Sequence, residues 1–127
     1  MQAEALCRAA VDALENIKAE DIVVLDVRKM SSLFDYMIVA SAESTRQTRA
    51  LVNNLQDKVE ALGARILGVE GEESGEWVLV DLGDVIVHVM QPAIRSYYNL
   101  EQLWGSETPQ PESAVMAGGR ANRGSPA

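Results

Sequence analysis

The stretch that decides the fold runs from Trp77 to Met90 and reads WVLVDL, then GD, then VIVHVM. Gly83 and Asp84 separate two runs rich in β-branched residues. This pattern is typical of a β-hairpin in which glycine supplies the positive φ of a type I′ or II′ turn. Because strand side chains alternate between the two faces of a sheet, one face of the hairpin is wholly aliphatic and is predicted to lie on a core. Its pairs are Leu82 with Val85, Val80 with Val87, and Val78 with Val89.

The opposite face of this hairpin mixes aromatic, aliphatic and ionisable side chains, which is unusual for a solvated surface. Its members are Trp77, Leu79, Asp81, Ile86, His88 and Met90. Two interpretations remain open at this point. Another element of the same chain covers the face, or the face is a docking surface for a partner, as large apolar patches often are.

The rest of the chain predicts helices at 2–18 and 44–62, strands at 22–27, 36–41 and 66–69, and a last helix that starts near Pro92. Ser44 and Gln47 fit a capping box, and Gly63 fits a left-handed helix end. The order α-β-β-α-β-β-β-α predicts an α/β protein with a mixed β-sheet of about five strands packed by helices. The strands on either side of helix 44–62 are expected to run parallel through a right-handed crossover.

Composition separates a folded domain at 1–104 from a tail at 105–127. The tail holds three of the four prolines and four of the nine glycines and shows no apolar periodicity, so we expect it to be disordered. The net charge of −8 falls entirely on the domain. An acidic body favours a basic protein partner and argues against direct nucleic-acid binding.

Other sequence features limit the class of protein further. Cys7 is the only cysteine, so no disulfide or cysteine metal site is expected. No stretch approaches the ~20 apolar residues of a membrane span, and the N-terminus lacks a secretory signal pattern. We therefore expect a cytoplasmic protein without a membrane anchor.

The candidate catalytic residues are the carboxylates at strand ends and turns, chiefly Asp26, Asp35 and Asp81. Nucleotidyltransferases of mixed α/β fold build their metal site from a Gly-Ser loop and an Asp-x-Asp or Asp-x-Glu pair on one strand. Residues 30–33 here read MSSL without a Gly-Ser, and the sequence contains no Asp-x-Asp or Asp-x-Glu pair. His88 is the only histidine, and no phosphate-binding glycine loop or nucleophile motif is present. The sequence thus predicts no catalytic, cofactor-binding or metal-binding residue and favours a binding module. A metal-dependent nucleotidyltransferase is the alternative.

Four blocks of sequence resemble the Iojap-type ribosomal silencing factors: 31–41, 44–47, 77–89 and 95–104. The resemblance covers about residues 4–104. It implies a nucleotidyltransferase-like α/β fold that lacks the catalytic motif. It also implies binding to the large ribosomal subunit through its universal protein number fourteen, a small basic β-barrel protein. Occupying that surface would block joining of the small subunit and repress translation under nutrient limitation. A homodimer in the free state is also implied.

The resemblance and the hairpin faces together predict the partner-binding residues: Trp77, Leu79, Asp81, His88 and Met90 on the face, with Arg95 and Tyr98 beside it. Trp77 is expected to be the buried anchor, and Asp81 the partner of a basic side chain. Met90 and Ile86 have a second interpretation, in which they pack under the last helix. The same face is also a candidate dimer interface, in which case the dimer and the ribosome compete for it.

Overall fold

The computed structural model describes residues 1–105, so the predicted tail lies outside the described residues except for Gly105. The element order confirms the predicted α-β-β-α-β-β-β-α, with the last helix divided in two. Asn99 divides it by adopting a left-handed conformation, with φ 50° and ψ 58°, which asparagine tolerates better than most residues. The elements are α1 (Ala3–Asn16), β1 (Glu20–Asp26), β2 (Tyr36–Ser41), α2 (Thr45–Ala61), β3 (Gly68–Glu70), β4 (Trp77–Asp81), β5 (Val85–Met90), α3 (Pro92–Tyr98) and α4 (Leu100–Gly105).

The five strands form one mixed sheet in the order β1-β2-β5-β4-β3, as the sequence predicts for its class. The neighbours β2 and β5 run parallel, and every other neighbouring pair is antiparallel. It follows that β2 and β3 point the same way, as expected across α2, but they are not neighbours. The β4–β5 hairpin lies between them, because β5 pairs with β2 and leaves the short β3 to pair with β4 at the edge.

The hairpin register agrees with the sequence prediction. Val78 pairs with Val89 and Val80 with Val87, and the Leu82 amide donates to the Val85 carbonyl at 2.9 Å. On the opposite side of the hairpin, Trp77 pairs with Met90, Leu79 with His88, and Asp81 with Ile86. The two faces predicted from alternation are therefore the two faces of the sheet.

Helices α1 and α2 cover the aliphatic face and form the larger core with it. Ser44 caps α2 by accepting a hydrogen bond from the Gln47 amide at 3.0 Å. The Gln47 side chain reaches one residue further back than in a standard capping box, since its Oε1 accepts from the Glu43 amide at 2.8 Å. Its Nε2 donates to the carbonyls of Ile17 and Lys18, so the cap of α2 also fixes the end of α1.

The C-terminal end of α2 is capped as predicted by Gly63, whose φ is +93°. The Gly63 amide donates to the Glu60 carbonyl and the Ala64 amide donates to the Val59 carbonyl, which is the Schellman arrangement. Glycine is needed here because an L side chain rarely adopts this φ.

A second, smaller core lies on the other side of the sheet, where α4 packs on β1. The strands thus contribute to two cores, and β1 supplies Val24 to one and Leu25 to the other. The buried members of the second core are Leu25, Val27, Met37, Val39, Met90 and Leu100.

None of the helices in residues 1–105 combines the length and the apolar character that crossing a membrane requires.

Candidate docking surface

The outer side of the sheet is only partly covered. The second core lies over β1, β2 and the last residue of β5, whereas β4 and β3 carry half-buried or exposed side chains on that side. We call this uncovered part the open face. It consists of Gly68 and Glu70 on β3 and Trp77, Leu79 and Asp81 on β4; Ile86 of β5 lies on the same side of the sheet but is buried.

Trp77 lies at the border between the open face and the second core. Its indole Nε1 donates to Nδ1 of His88 at 2.9 Å. Its ring lies 4.7 Å from the ring of Tyr98, at an interplanar angle of 48°. The side chain is half-buried, so one surface of the indole is held by neighbours and the remainder is accessible. A fixed and partly exposed tryptophan is a typical interface anchor because little conformational entropy is lost when it binds.

His88 is 6% exposed and orients the Trp77 indole by accepting its hydrogen bond. Burial lowers the pKa of His88 to about 4 because the charged form loses its hydration. The imidazole is therefore neutral near pH 7. Because Nδ1 accepts the indole hydrogen bond, the imidazole proton is assigned to Nε2. His88 thus positions the proposed anchor.

Asp81 lies on the open face and also stabilises the hairpin turn. Its Oδ1 accepts a hydrogen bond from the Gly83 amide at 2.9 Å and so closes the hairpin turn. Aspartate commonly makes this contact in turns. No protein donor within residues 1–105 contacts Oδ2, which is thus available to an external group.

Met90 and Arg95 lie away from the accessible surface, although the sequence predicts both for the site. Met90 is fully buried in the second core, which agrees with its alternative interpretation. Arg95 donates to Glu101 Oε2 at 2.8 and 2.9 Å and to Ser41 Oγ at 2.8 Å. These contacts tie α3 to α4 and β2, so both residues support the open face from beneath or beside it.

An exposed aromatic pair extends the open face. Tyr97 is 80% exposed and Tyr98 is 50% exposed, with their rings edge to face at 4.9 Å. Since Tyr98 also packs on Trp77, the three rings form a continuous aromatic surface. Of these two tyrosines, only Tyr98 is predicted for the site from the sequence. Gly68 and Glu70 are not predicted for it, because their place beside β4 depends on the strand order.

The electrostatic character of this region is acidic. Between Arg65 and Arg95 the chain contains six carboxylates and no lysine or arginine. Two of these carboxylates, Glu70 and Asp81, lie on the open face itself. A surface of this composition is complementary to an apolar patch rimmed by basic side chains.

The carboxylates considered for metal chemistry do not form one site. Asp26 and Asp81 end β1 and β4, which are three strand spacings apart, or about 14 Å. Asp26 is instead paired with Arg28, whose hydrogen bond lowers the pKa of that carboxyl group. Across residues 1–105, no group of three or more histidine, cysteine, aspartate or glutamate side chains is arranged to hold a metal ion.

A mixed five-stranded sheet with helices on both sides and an accessible aromatic, acidic surface defines this chain as a small α/β protein with one partly uncovered sheet face. A sequence model of the family described as "Ribosomal silencing factor during starvation" matches residues 1–126. The chain therefore belongs to the ribosomal silencing factor family, which confirms the resemblance found from its sequence blocks. The family is named for a regulatory role and not for an enzymatic one.

Individual relatives agree with this assignment. Ribosomal silencing factor RsfS of Chromobacterium violaceum is 53% identical over 109 residues, which cover 86% of this chain and 89% of the relative. The protein of the same name from Bacillus subtilis is 39% identical over 105 residues, covering 83% and 89%. The chloroplastic protein Iojap of maize is 35% identical over 97 residues, covering 76% of this chain and 42% of the plant protein.

Solved structures show the same fold. A crystal structure of a protein from Chromobacterium violaceum superposes with a TM-score of 0.81 at 53% identity and covers 87% of this chain and 92% of that one. A protein from Bacillus halodurans gives a TM-score of 0.73 at 39% identity, covering 80% and 94%.

Proposed function

We propose that this protein docks through its open face on the large ribosomal subunit and thereby prevents the small subunit from joining. The docking partner is universal ribosomal protein number fourteen, a small basic protein on the intersubunit side. Translation is then repressed when nutrients are limiting. A protein acting on ribosomes in this way works in the cytoplasm.

One observation carries this proposal: a family member named for ribosome silencing leaves half of one sheet face uncovered, and that half is aromatic and acidic. An ordinary α/β domain would cover such a face or make it uniformly polar. The acidic charge matches a basic protein, and it argues against direct contact with ribosomal RNA because phosphate binding needs lysine and arginine. The anti-association activity follows from steric exclusion, which requires no catalytic group.

The direct test is co-sedimentation with purified large subunits on sucrose gradients. Trp77→Ala is expected to weaken binding by about 30- to 1,000-fold, because truncating a buried aromatic anchor costs roughly 2–4 kcal/mol of binding free energy. Since the indole also packs on His88 and Tyr98, the unfolding transition of the variant must be measured alongside.

A matched pair of leucine variants separates binding from stability. Leu79 is half-buried on the open face, whereas Leu62 is 55% exposed at the end of α2, on the other side of the sheet. Leu79→Arg is expected to abolish co-sedimentation because it places a positive charge against a basic partner. Leu62→Arg is expected to bind like the unmodified protein. Equal binding by both variants would show that the open face is not the docking surface.

The order of addition tests the silencing step. Protein added to large subunits before small subunits is expected to reduce the yield of joined ribosomes, whereas protein added after joining has less effect because the intersubunit side is already covered. Unchanged yields in both orders would refute steric exclusion. Calorimetry with nucleotides and Mg²⁺ addresses the nucleotidyltransferase alternative, and binding in the micromolar range would support an enzyme instead.

We also propose that the free protein forms a homodimer through the same aromatic surface. The exposure of Tyr97 and Tyr98 beside Trp77 favours this second role, since large accessible aromatic areas are typical of interfaces. Sedimentation equilibrium should find a dimer, and Trp77→Ala should convert it to a monomer. Added large subunits should also dissociate the dimer, because the two interactions share one surface. A dimer that persists in both experiments would place the interface elsewhere.

A further inference from the structure

Gly68, the first residue of β3, is the one glycine in a β-strand among the described residues, and neither a positive φ nor a close contact explains it. Gly63, Gly71, Gly75 and Gly83 have positive φ values. A Cβ at Gly71 would also clash with the Trp77 carbonyl oxygen. Gly68 has no such φ, and a Cβ there would meet nothing within 4 Å.

A glycine in a strand weakens that strand because it has no side chain to pack and it loses more conformational freedom on folding. Such a glycine often marks a bulge, a tight bend or a place where a ligand or another backbone approaches closely. The β3–β4 register is regular, without a bulge, which favours close approach. The space beside Gly68 is open to another molecule, since β3 is an edge strand of the sheet.

The position of Gly68 connects this space to the open face. Its strand partner is Asp81 of β4, so both residues face the outer side of the sheet, and Ile86 of β5 follows Asp81 in the same row. Glu70 lies two residues further along β3 and therefore on the same face. The missing side chain leaves a gap on the open face with a carboxylate across the strand pair and another along the strand.

The charge around this gap decides what would fill it. Asp81 Oδ2 is available to an external donor, because only Oδ1 is used for the Gly83 amide. The nearest basic residues in the sequence are Arg65 and Arg95. Among the described residues Arg65 forms no ion pair with Glu70 or Asp81, and Arg95 is already paired with Glu101. The long alkyl stem of a lysine or arginine packs well on bare backbone while its charged end reaches a carboxylate.

We propose that Gly68 belongs to the docking surface and that a lysine or arginine side chain of the docked ribosomal protein lies across its Cα and pairs with Asp81. Glu70 supplies the second carboxylate. This inference rests on the proposed function, because it places the partner's contact on β3 as well as β4. It assigns a role to the one strand glycine whose presence the isolated domain does not require.

The test uses variants of Gly68 that the isolated domain accepts. Gly68→Val and Gly68→Ala are expected to unfold at the same denaturant concentration as the unmodified protein or at a higher one, since a Cβ at this position meets nothing within 4 Å and valine favours strands. Co-sedimentation with purified large subunits is expected to weaken by at least about tenfold for Gly68→Val and by less for Gly68→Ala. Ala61→Val adds bulk at an exposed position on α2 and is expected to bind normally.

The proposed ion pair with Asp81 is tested separately, by removing the carboxylate charge and by varying the salt concentration. Asp81→Asn keeps an oxygen acceptor for the Gly83 amide but removes the carboxylate charge. It is expected to weaken binding alone and to have little further effect when Gly68→Val is also present, because both changes remove the same contact. Binding by the unmodified protein should fall as salt is raised, and binding by Gly68→Val should be less sensitive to salt.

The outcomes separate this inference from the proposed function. If the unmodified protein binds large subunits and Gly68→Val binds equally well, the inference is overturned and the proposed function stands. If the two substitutions have additive effects, no basic side chain bridges Gly68 and Asp81. Failure of the unmodified protein to bind large subunits overturns both.

Discussion

Replacing His88 by glutamine should remove a pH dependence that burial builds into the stability of this domain. In the folded protein the pKa of His88 is about 4, against an ordinary value of 6.5, because desolvation penalises the imidazolium. The unfolded chain therefore takes up a proton on this residue as the pH falls below 6.5, whereas the folded chain does so only near pH 4. The contribution of neutral His88 to the free energy of unfolding is fully present above pH 6.5 and is lost as the pH falls towards 4.

The size of the effect follows from the difference of about 2.5 pKa units. At about 1.4 kcal/mol per unit, His88 lowers the free energy of unfolding by roughly 3 kcal/mol across this window. That is a large part of the 5–15 kcal/mol that stabilises a typical domain. Protonation would also place an N–H group where Nδ1 now accepts the indole hydrogen bond, so it would release Trp77 locally.

Urea unfolding of the unmodified protein and of His88→Gln, measured between pH 7 and pH 4.5, isolates this contribution. The carboxylates titrate in both proteins and cancel in the comparison. Glutamine does not titrate and still offers an oxygen to the Trp77 indole. The unmodified protein should lose about 2–3 kcal/mol more than the variant over this range. Parallel pH profiles for the two proteins would refute a neutral, desolvated His88.

Three further predictions concern the rest of the domain. Ser44→Ala should lower the free energy of unfolding by about 1 kcal/mol, measured by urea denaturation, because the Gln47 amide loses its acceptor; an unchanged midpoint would contradict the cap. Met90→Ala should cost roughly 2–5 kcal/mol in the same assay, since it leaves a cavity in the second core, and a cost below that of Ser44→Ala would argue against full burial. Cys7 should react with a thiol reagent only after unfolding, because burial raises its pKa to about 11. Rapid labelling of the native protein would show that the thiol is accessible.

Sequence periodicity was sufficient for much of the fold because each feature concerned is local. The alternation in Trp77–Met90 determines the hairpin faces and register, and Ser44 and Gly63 determine where α2 is capped at each end. The third strand is less well predicted: it begins at Gly68, whereas the apolar run suggested Ile66. Apolar character alone could not locate it, because β3 is short and its bounds depend on pairing with β4.

The sequence alone placed the β4 residues of the candidate site on one face, but it did not show which of the surrounding residues are accessible. Trp77, Leu79 and Asp81 share a face by alternation alone, so the sequence identified them together. Which part of that face is covered depends on where α3 and α4 pack, and no local pattern encodes this. The structure consequently places Met90 inside a core, while Asp81 stays on the accessible surface.

By itself, the sequence determined the α/β class, the two-sided hairpin, the acidic charge and the family, because these depend on residue type and short-range spacing. Only the tertiary structure decided that β5 lies beside β2 and that β3 joins the sheet edge next to β4. It also decided that the last two helices leave that edge uncovered. Strand order and helix placement arise from contacts between distant parts of the chain, and these contacts brought Gly68 next to Asp81.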